Sequence, residues 1–383
     1  MLQISESQLI SWLQRLVAIP SVTPDQAGPR SGAPGEGAIA AALADWFAAL
    51  GGEVYTEEVL PGRPNIYAIW RGRSQRWAAL DIHTDTVGVE QMPNDPFNAV
   101  VRNGRVYGRG AVDTKASLAV ILALLESLQQ RGRQPDANII VGATADEEVL
   151  ALGAPVYANW LKKRGIVVDQ MMVAEPTMCG PVYGHTGVIR LAFEVQGIAA
   201  HSSKPHQGKN AITAAAHLLL AIDAEHQRLQ SEAPLTELGR PTLTATIIQG
   251  GRGQNVVPDS CTVTIDRRVV AGESLEGTIA ELSNVAHNAS PLPVRVRQLL
   301  ALGSFLYRPD SAWVQKLASW GGQAATIAPY GTNAWAYNDV ARECIVLGPG
   351  SIDQAHGIEE WVEIDQLHRL AQIYTHWLVE EQD

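Results

Sequence analysis

The stretch "ALDIHTDTV", Ala79–Val87, begins as an apolar run and turns abruptly charged at Asp81, His83 and Asp85. An apolar segment this short reads as a buried strand, and its polar tail reads as groups presented at the strand's carboxyl end. Outward from it the same unit recurs. "NIYAIW", "RWAALDI", "ANIIVGAT", "QMMVA" and "RECIVLG" are short apolar strands. A helical segment, Ala38–Ala49, precedes them, and two more, Lys115–Gln130 and Gly153–Lys163, lie between them. A first helix is expected over Glu6–Ala18 with Ser5 as its cap, and a last one over Glu359–Val379. Strands and helices in alternation predict an α/β fold, a mostly parallel sheet flanked by helices on both faces.

The pattern changes after residue 180. "VIRLAFEVQG" alternates, with Ile189, Leu191, Phe193 and Val195 on one face and Arg190, Glu194 and Gln196 on the other. That is a sheet exposed on one side. A helix over Asn210–Gln227, the strands "PTLTATIIQG" and "SCTVTIDRRV", a helix over Ser274–Asn288 and the strand "PVRVRQLLAL" complete a ferredoxin-like β-α-β-β-α-β order. The expectation is a small α+β domain, residues 181–302, inserted into a larger α/β domain formed by residues 1–180 and 303–383.

The formal net charge of −11 argues against nucleic acid or an anionic membrane as a partner, because both need a basic face. No apolar run is long enough to span a bilayer, and the N-terminus lacks the pattern of a signal peptide. Cys179, Cys261 and Cys344 are far apart and match no zinc spacing, so they read as reduced core thiols of a cytoplasmic protein.

In open α/β sheets ligands bind beyond the carboxyl ends of the strands. There the chain places His83 and Asp85, then Asp113, then Asp146-Glu147-Glu148, then Glu175, and last His356. Each has an innocent reading alone: Asp113 as a helix cap, Glu147 and Glu148 as solvated first-turn acids, His356 as a surface histidine. Together they would repel unless positive charge sat among them. Imidazole and carboxylate ligands without thiolate suit zinc, cobalt or manganese. They outnumber the needs of one tetrahedral ion, so two divalent ions about 3.5–4 Å apart with a bridging carboxylate are expected. His83 and Asp85, two apart on an extended chain, share a face, so one can ligate while the other fixes the ring. Glu147 and Glu148 point differently. One suits a ligand, the other a base that takes a proton from water.

These residues sit in "HTDTV", "DPFNAVVRNGRVYGRGAVDTK", "TADEEVLALGA", "AEPT", "GIAAHSSKPHQGKNAI", "GGRGQNVVPDSCTVTIDRR" and "GPGSIDQAHGIEEWV". In this order the chain resembles the dinuclear zinc amidohydrolases and exopeptidases that include acetylornithine deacetylase, succinyl-diaminopimelate desuccinylase, aminoacylase and carboxypeptidase G. The resemblance implies that His83 and Glu175 hold one metal, Glu148 and His356 the other, and that Asp113 bridges them. It implies that Asp85 orients His83, that Glu147 is the general base and acid, and that the Asp113–Thr114 peptide is cis. His201 would polarise the scissile carbonyl or stabilise the oxyanion, in the family often from the partner subunit, and a homodimer through the inserted lid domain is expected. Asn255 and Arg267 fall where substrate is contacted, and the Arg267 fork suits a carboxylate. A salt bridge within the lid is its other reading.

The chain departs from the family pattern at Ala116-Ser117, where Gly-Gly is usual, and at Asn333, where Gly-Thr-Asp is usual. It departs again at Ile82, where Gly usually precedes the histidine, next to an unusual Asp81. These leave the metal set intact and fall outside it. The expected function is metal-dependent hydrolysis of the amide bond of an N-acyl amino acid, a small-molecule substrate with a free carboxylate. A dipeptidase, tripeptidase or carboxypeptidase is the alternative. A metal-free binding protein on the same fold is a remote third reading, disfavoured because every ligand and Glu147 are present.

Overall fold

A computed structural model of the chain describes residues 2–380. The chain folds as two units. One runs to Tyr183 and resumes over Tyr307–Ile327 and from Thr332 onward; the other holds Gly184–Leu306 and Ala328–Gly331.

The first unit is a mixed sheet with a parallel centre. Strands Asn138–Thr144, Trp77–His83, Val168–Val173 and Ala341–Val346 lie side by side in that order, all parallel. Beyond them Arg63–Trp70 and Glu53–Leu60 run antiparallel. Glu53–Leu60, "EVYTEEVL", carries no uninterrupted apolar run, so the sequence pattern does not reveal it. It sits at the sheet's edge, where one flank needs no apolar cover.

The helix Lys115–Gln130 is apolar almost all round and buried along nearly its whole length, as a helix covered on every side must be. The first helix, Glu6–Val17, begins at a capping box in which Ser5 and Gln8 satisfy each other's backbone N–H groups. The last helix starts at Ile364 rather than at Glu359. The residues before it, Trp361–Glu363, pair as a short strand with Arg105–Tyr107, and that tertiary pairing overrides the helical pattern.

Register places the site. His83 is level with Thr144, Asp81 with Val173, and Val173 with Val346. The parallel strands therefore end at one edge, where His83 closes its strand and the loops leaving the others carry Glu147, Glu148, Glu175 and His356.

The second unit holds a four-stranded antiparallel sheet in the order Thr242–Gly250, Ser260–Val269, Gly187–Gln196, Val294–Leu302. Ile189, Leu191, Phe193 and Val195 face inward with Val263 and Ile265 and pack against Leu218 and Ile222 of the helix Ala211–Glu232. Asn210 caps that helix through the backbone N–H groups of Ile212 and Thr213. It runs past the expected Gln227 to Glu232.

Candidate active site

Asp113 is the centre of the cluster. Its Oδ1 lies 3.0 Å from His83 Nε2, and its Oδ2 lies 3.2 Å from His356 Nε2. The second histidine also approaches Glu148 Oε2 at 3.0 Å. Two sets of potential metal ligands share this aspartate: His83, Asp113 and Glu175, and Asp113, Glu148 and His356. Within each set the donor atoms lie no more than 4.8 Å apart. Glu147 belongs to neither set.

The surrounding chain fixes these groups through backbone. The Asp85 carboxylate accepts hydrogen bonds from the N–H of Glu147 at 3.0 Å and of Glu148 at 2.9 Å, one on each oxygen. His83 Nδ1 lies 3.1 Å from the Asp85 carbonyl oxygen and 3.5 Å from its Oδ1. Asp85 therefore touches both the first histidine and the loop that carries the two glutamates. The Asp113–Thr114 peptide is cis, and the Thr114 hydroxyl donates to the His83 carbonyl at 3.0 Å. Gly348 allows the Glu175 segment to lie close, since a Cβ there would sit 2.5 Å from the Glu175 carbonyl oxygen.

A second set of buried charges braces the glutamate loop from behind. Asp146 adopts a left-handed backbone, φ 67°. Arg63 Nη1 binds its carboxylate at 2.9 Å, while Nε and Nη2 grip Glu36 at 2.6 and 2.8 Å. Glu36 in turn accepts the Asp146 N–H at 2.9 Å. Sequence reasoning misses Glu36 and Arg63, which precede any recognisable motif; a buried Arg-carboxylate fork has no local signature.

The unusual Asp81 also finds its reason here. It is fully buried, one strand turn below His83. Thr144 Oγ1 donates to one of its oxygens at 2.6 Å and the Tyr337 hydroxyl to the other at 2.7 Å. Asn333 Nδ2 lies 3.5 Å from that Thr144 hydroxyl. Two departures from the family pattern, Asp81 and Asn333, thus meet in one network. Burial pushes the Asp81 carboxyl up to about 6, against the pull of its two hydroxyl donors.

Electrostatics tests whether cations fit. Burial, then the neighbouring acids, pushes Glu147 up to about 8 and holds Glu175 well above the carboxylate range. Burial and the Asp113 charge raise Glu148 to about 7. His356 rises to about 10 through its contacts with Asp113 and Glu148. Burial opposes protonation of His83, but bonds to Asp113 and Asp85 outweigh it and raise the imidazole. The cluster has more negative charge than it can hold in a desolvated site, and it draws protons to compensate. Divalent cations would answer the same need, and the oxygen and imidazole donors suit them.

In the second unit His201 is exposed on a short strand, Ala200–His201, which pairs with Val256–Val257. Its Nδ1 accepts the Ser203 N–H at 3.2 Å, so in the neutral ring the proton sits on Nε2. Asn255 is exposed beside it, its carbonyl accepting the Ser202 N–H at 2.9 Å. Arg267 is buried and its guanidinium is occupied by Glu273 and by the Arg268 carbonyl.

Two candidate ligand sets sharing one aspartate at the strand ends of an α/β sheet, with a further glutamate beside them, are the arrangement a dinuclear metallohydrolase requires. Residues 79–380 match the model of peptidase family M20/M25/M40, and the chain belongs to that family of hydrolases. It is 31% identical over 328 residues to an acetylornithine deacetylase of Aliivibrio salmonicida, covering 84% of this chain and 85% of the relative. A tripeptidase from Staphylococcus aureus shares the fold with a TM-score of 0.73 at 22% identity, covering 96% of each chain. So does a dinuclear metal-binding M20 peptidase from Bacillus subtilis, with a TM-score of 0.65 at 16% identity and 96% of each chain covered. Among the described residues no helix is long and apolar enough to cross a membrane.

Proposed function

We propose that this chain hydrolyses the amide bond of an N-acyl amino acid, and that the groups around Asp113 hold two divalent cations, zinc first, with cobalt or manganese as substitutes. What carries the reading is a bridging aspartate flanked by two ligand sets, with one glutamate, Glu147, left out of both. In this reading His83, Asp113 and Glu175 hold one cation, and Asp113, Glu148 and His356 the other. Such cations supply Lewis-acid stabilisation, acidifying water and taking up negative charge that develops on a carbonyl oxygen.

Glu147 takes a proton from the attacking water and returns it to the leaving nitrogen. Its raised affinity for protons comes from burial and the neighbouring acids, and cationic charge nearby would lower it. Asp85 keeps the Glu147 and Glu148 backbones fixed, so base and ligand diverge from one point. His201 donates its Nε2–H to the carbonyl oxygen as negative charge builds there. It belongs to the other compact unit, and in this proposal it acts across a homodimer formed through that unit. Asn255 and Arg267 contact the substrate; a substrate carboxylate that reaches Arg267 must take it from Glu273.

The similarity to acetylornithine deacetylase supports a deacylase acting on a small substrate with a free carboxylate. The match to a peptidase family keeps a short peptide as the second reading. A cytoplasmic setting is supported by three buried thiols, all unpaired. The test is a panel of N-acyl amino acids and di- and tripeptides offered to the metal-loaded protein, with metal content measured in parallel. Turnover of acyl amino acids above peptides is expected. Turnover of peptides alone would move the assignment to the second reading, and a chain that took up no metal would sink both.

A further inference from the structure

We infer that Glu360 is a positioning residue: its buried carboxylate, paired with Arg109, ties the segment bearing Asp113 to the segment bearing His356 and so sets the geometry of the second cation position. The inference rests on the two-cation reading above.

His356 needs such a tie. Its backbone is left-handed, φ 60°, and its side chain is 54% exposed. No residue from Ser351 to Glu359 is fully buried. Glu360, four positions further on, is 1% exposed. Burial and the nearby Asp113 charge penalise a carboxylate there, and the Arg109 charge offsets them only in part. Its hydrogen bonds supply the reason. Oε1 accepts the N–H of Val112 at 2.9 Å and of Asp113 at 3.1 Å. Oε2 accepts the N–H of Gly110 at 3.0 Å and Arg109 Nη1 at 2.7 Å. The Glu360 carbonyl accepts the Gly108 N–H at 3.0 Å.

Arg109 completes the tie from the other side. Its Nη2 donates to the carbonyls of Gly357, next to His356, and of Gly88, each at 3.1 Å. The carboxylate therefore holds three backbone N–H groups of the Asp113 loop, and the guanidinium that pairs with it reaches the His356 loop at Gly357 and the chain at Gly88. A hydrophobic pair of the same volume could fill the space, but it could not hold those N–H groups at fixed spacing. Two of the three ligands in the second set, Asp113 and His356, depend on this pair; in the first set only Asp113 does.

The test is calorimetric titration of the apoprotein with zinc, with circular dichroism and thermal melting to confirm the fold. Wild type should take up two cations. In Glu360→Gln the second should bind at least about tenfold more weakly, within the 10–100-fold range typical of lost outer partners, and the first should change less. Glu360→Asp keeps the charge but draws the carboxylate back from the amides, and it should lose the second cation in the same way. If Glu360→Asp or Glu360→Gln bound both cations as wild type does, the role would be refuted. Should the Glu360 variants fail to fold, Arg109→Lys serves. It keeps a positive charge facing Glu360 but lacks the fork that reaches Gly88 and Gly357, and an unchanged second affinity in it would overturn the inference. A wild type that bound fewer than two cations would instead bring down the two-cation reading, and this inference with it.

Discussion

His83 and His201 are held in opposite ways. His83 is buried on the end of a parallel strand, with Asp85 at one ring nitrogen and Asp113 at the other, and with its carbonyl tied to Thr114. His201 stands exposed on a two-residue strand, and the polar contacts on its ring come from Ser203, two positions away. The contrast extends to the neighbours. Asp113 and the Glu148 backbone are held by buried hydrogen bonds and Glu175 is buried, whereas Asn255 lies on an exposed turn. Metal ligands must converge to within a few tenths of an ångström, and a rigid strand edge with supporting hydrogen bonds provides that. Groups that meet a substrate can be looser, since they must first admit it.

The sharpest way to test this contrast is at the centre. Glu147→Gln should keep both metals and lose about 10²–10⁴ in turnover, the range for removal of a general acid–base. Glu148→Gln should instead weaken one metal. Metal analysis beside turnover decides it, and an equal loss of metal in both would erase the division of labour between these neighbours. Next comes the brace behind the loop. Arg63→Met leaves Glu36 and Asp146 buried and unpaired, and should destabilise the fold by about 3–5 kcal/mol in chemical denaturation. A loss below about 1 kcal/mol would be that of a surface pair and would mean that the first unit is less rigidly built than its contacts imply.

On the exposed side, His201→Ala should lower turnover by about 10²–10³ while leaving metal content unchanged. Mixed with Glu147→Gln under conditions of subunit exchange, it should recover activity, because one hybrid site would be intact. Recovery of nothing, or a monomer in solution, would confine His201 to its own subunit or remove it from the reaction. The smallest effect concerns acid stability. Burial pushes the His185 imidazole down to about 4, with Nδ1 donating to the Thr186 carbonyl. Between pH 4 and 6.5 the unfolded chain holds a proton that the folded chain refuses. The stabilisation is thus intact above pH 6.5 and is lost as pH falls toward 4, by up to about 3 kcal/mol. Melting temperatures of wild type should fall more steeply over that window than those of His185→Gln; parallel curves would count against it.

Sequence by itself determined the class of fold and the identity of the candidate ligands, because both leave local signals. An apolar strand followed by an acid or histidine is visible within about ten residues, and four such ends in order, with Asp113 at a helix start between them, leave little choice of chemistry. The alternation in "VIRLAFEVQG" likewise marks a sheet with one wet face, and the Ile189, Leu191, Phe193 and Val195 face is the buried one. Tertiary structure decided what holds those ligands. Glu36 and Arg63 are 27 residues apart, Arg109 and Glu360 are 251 apart, and Asp81 meets Tyr337 across 256. Each is a polar residue whose meaning depends on burial and on a partner remote in the chain. The start of the last helix moved to Ile364 for the same reason, since strand pairing with Arg105–Tyr107 outweighed local helical propensity. Local periodicity is written along the chain; the pairing of buried charges is settled only when distant segments pack and a desolvated carboxylate must find its donors.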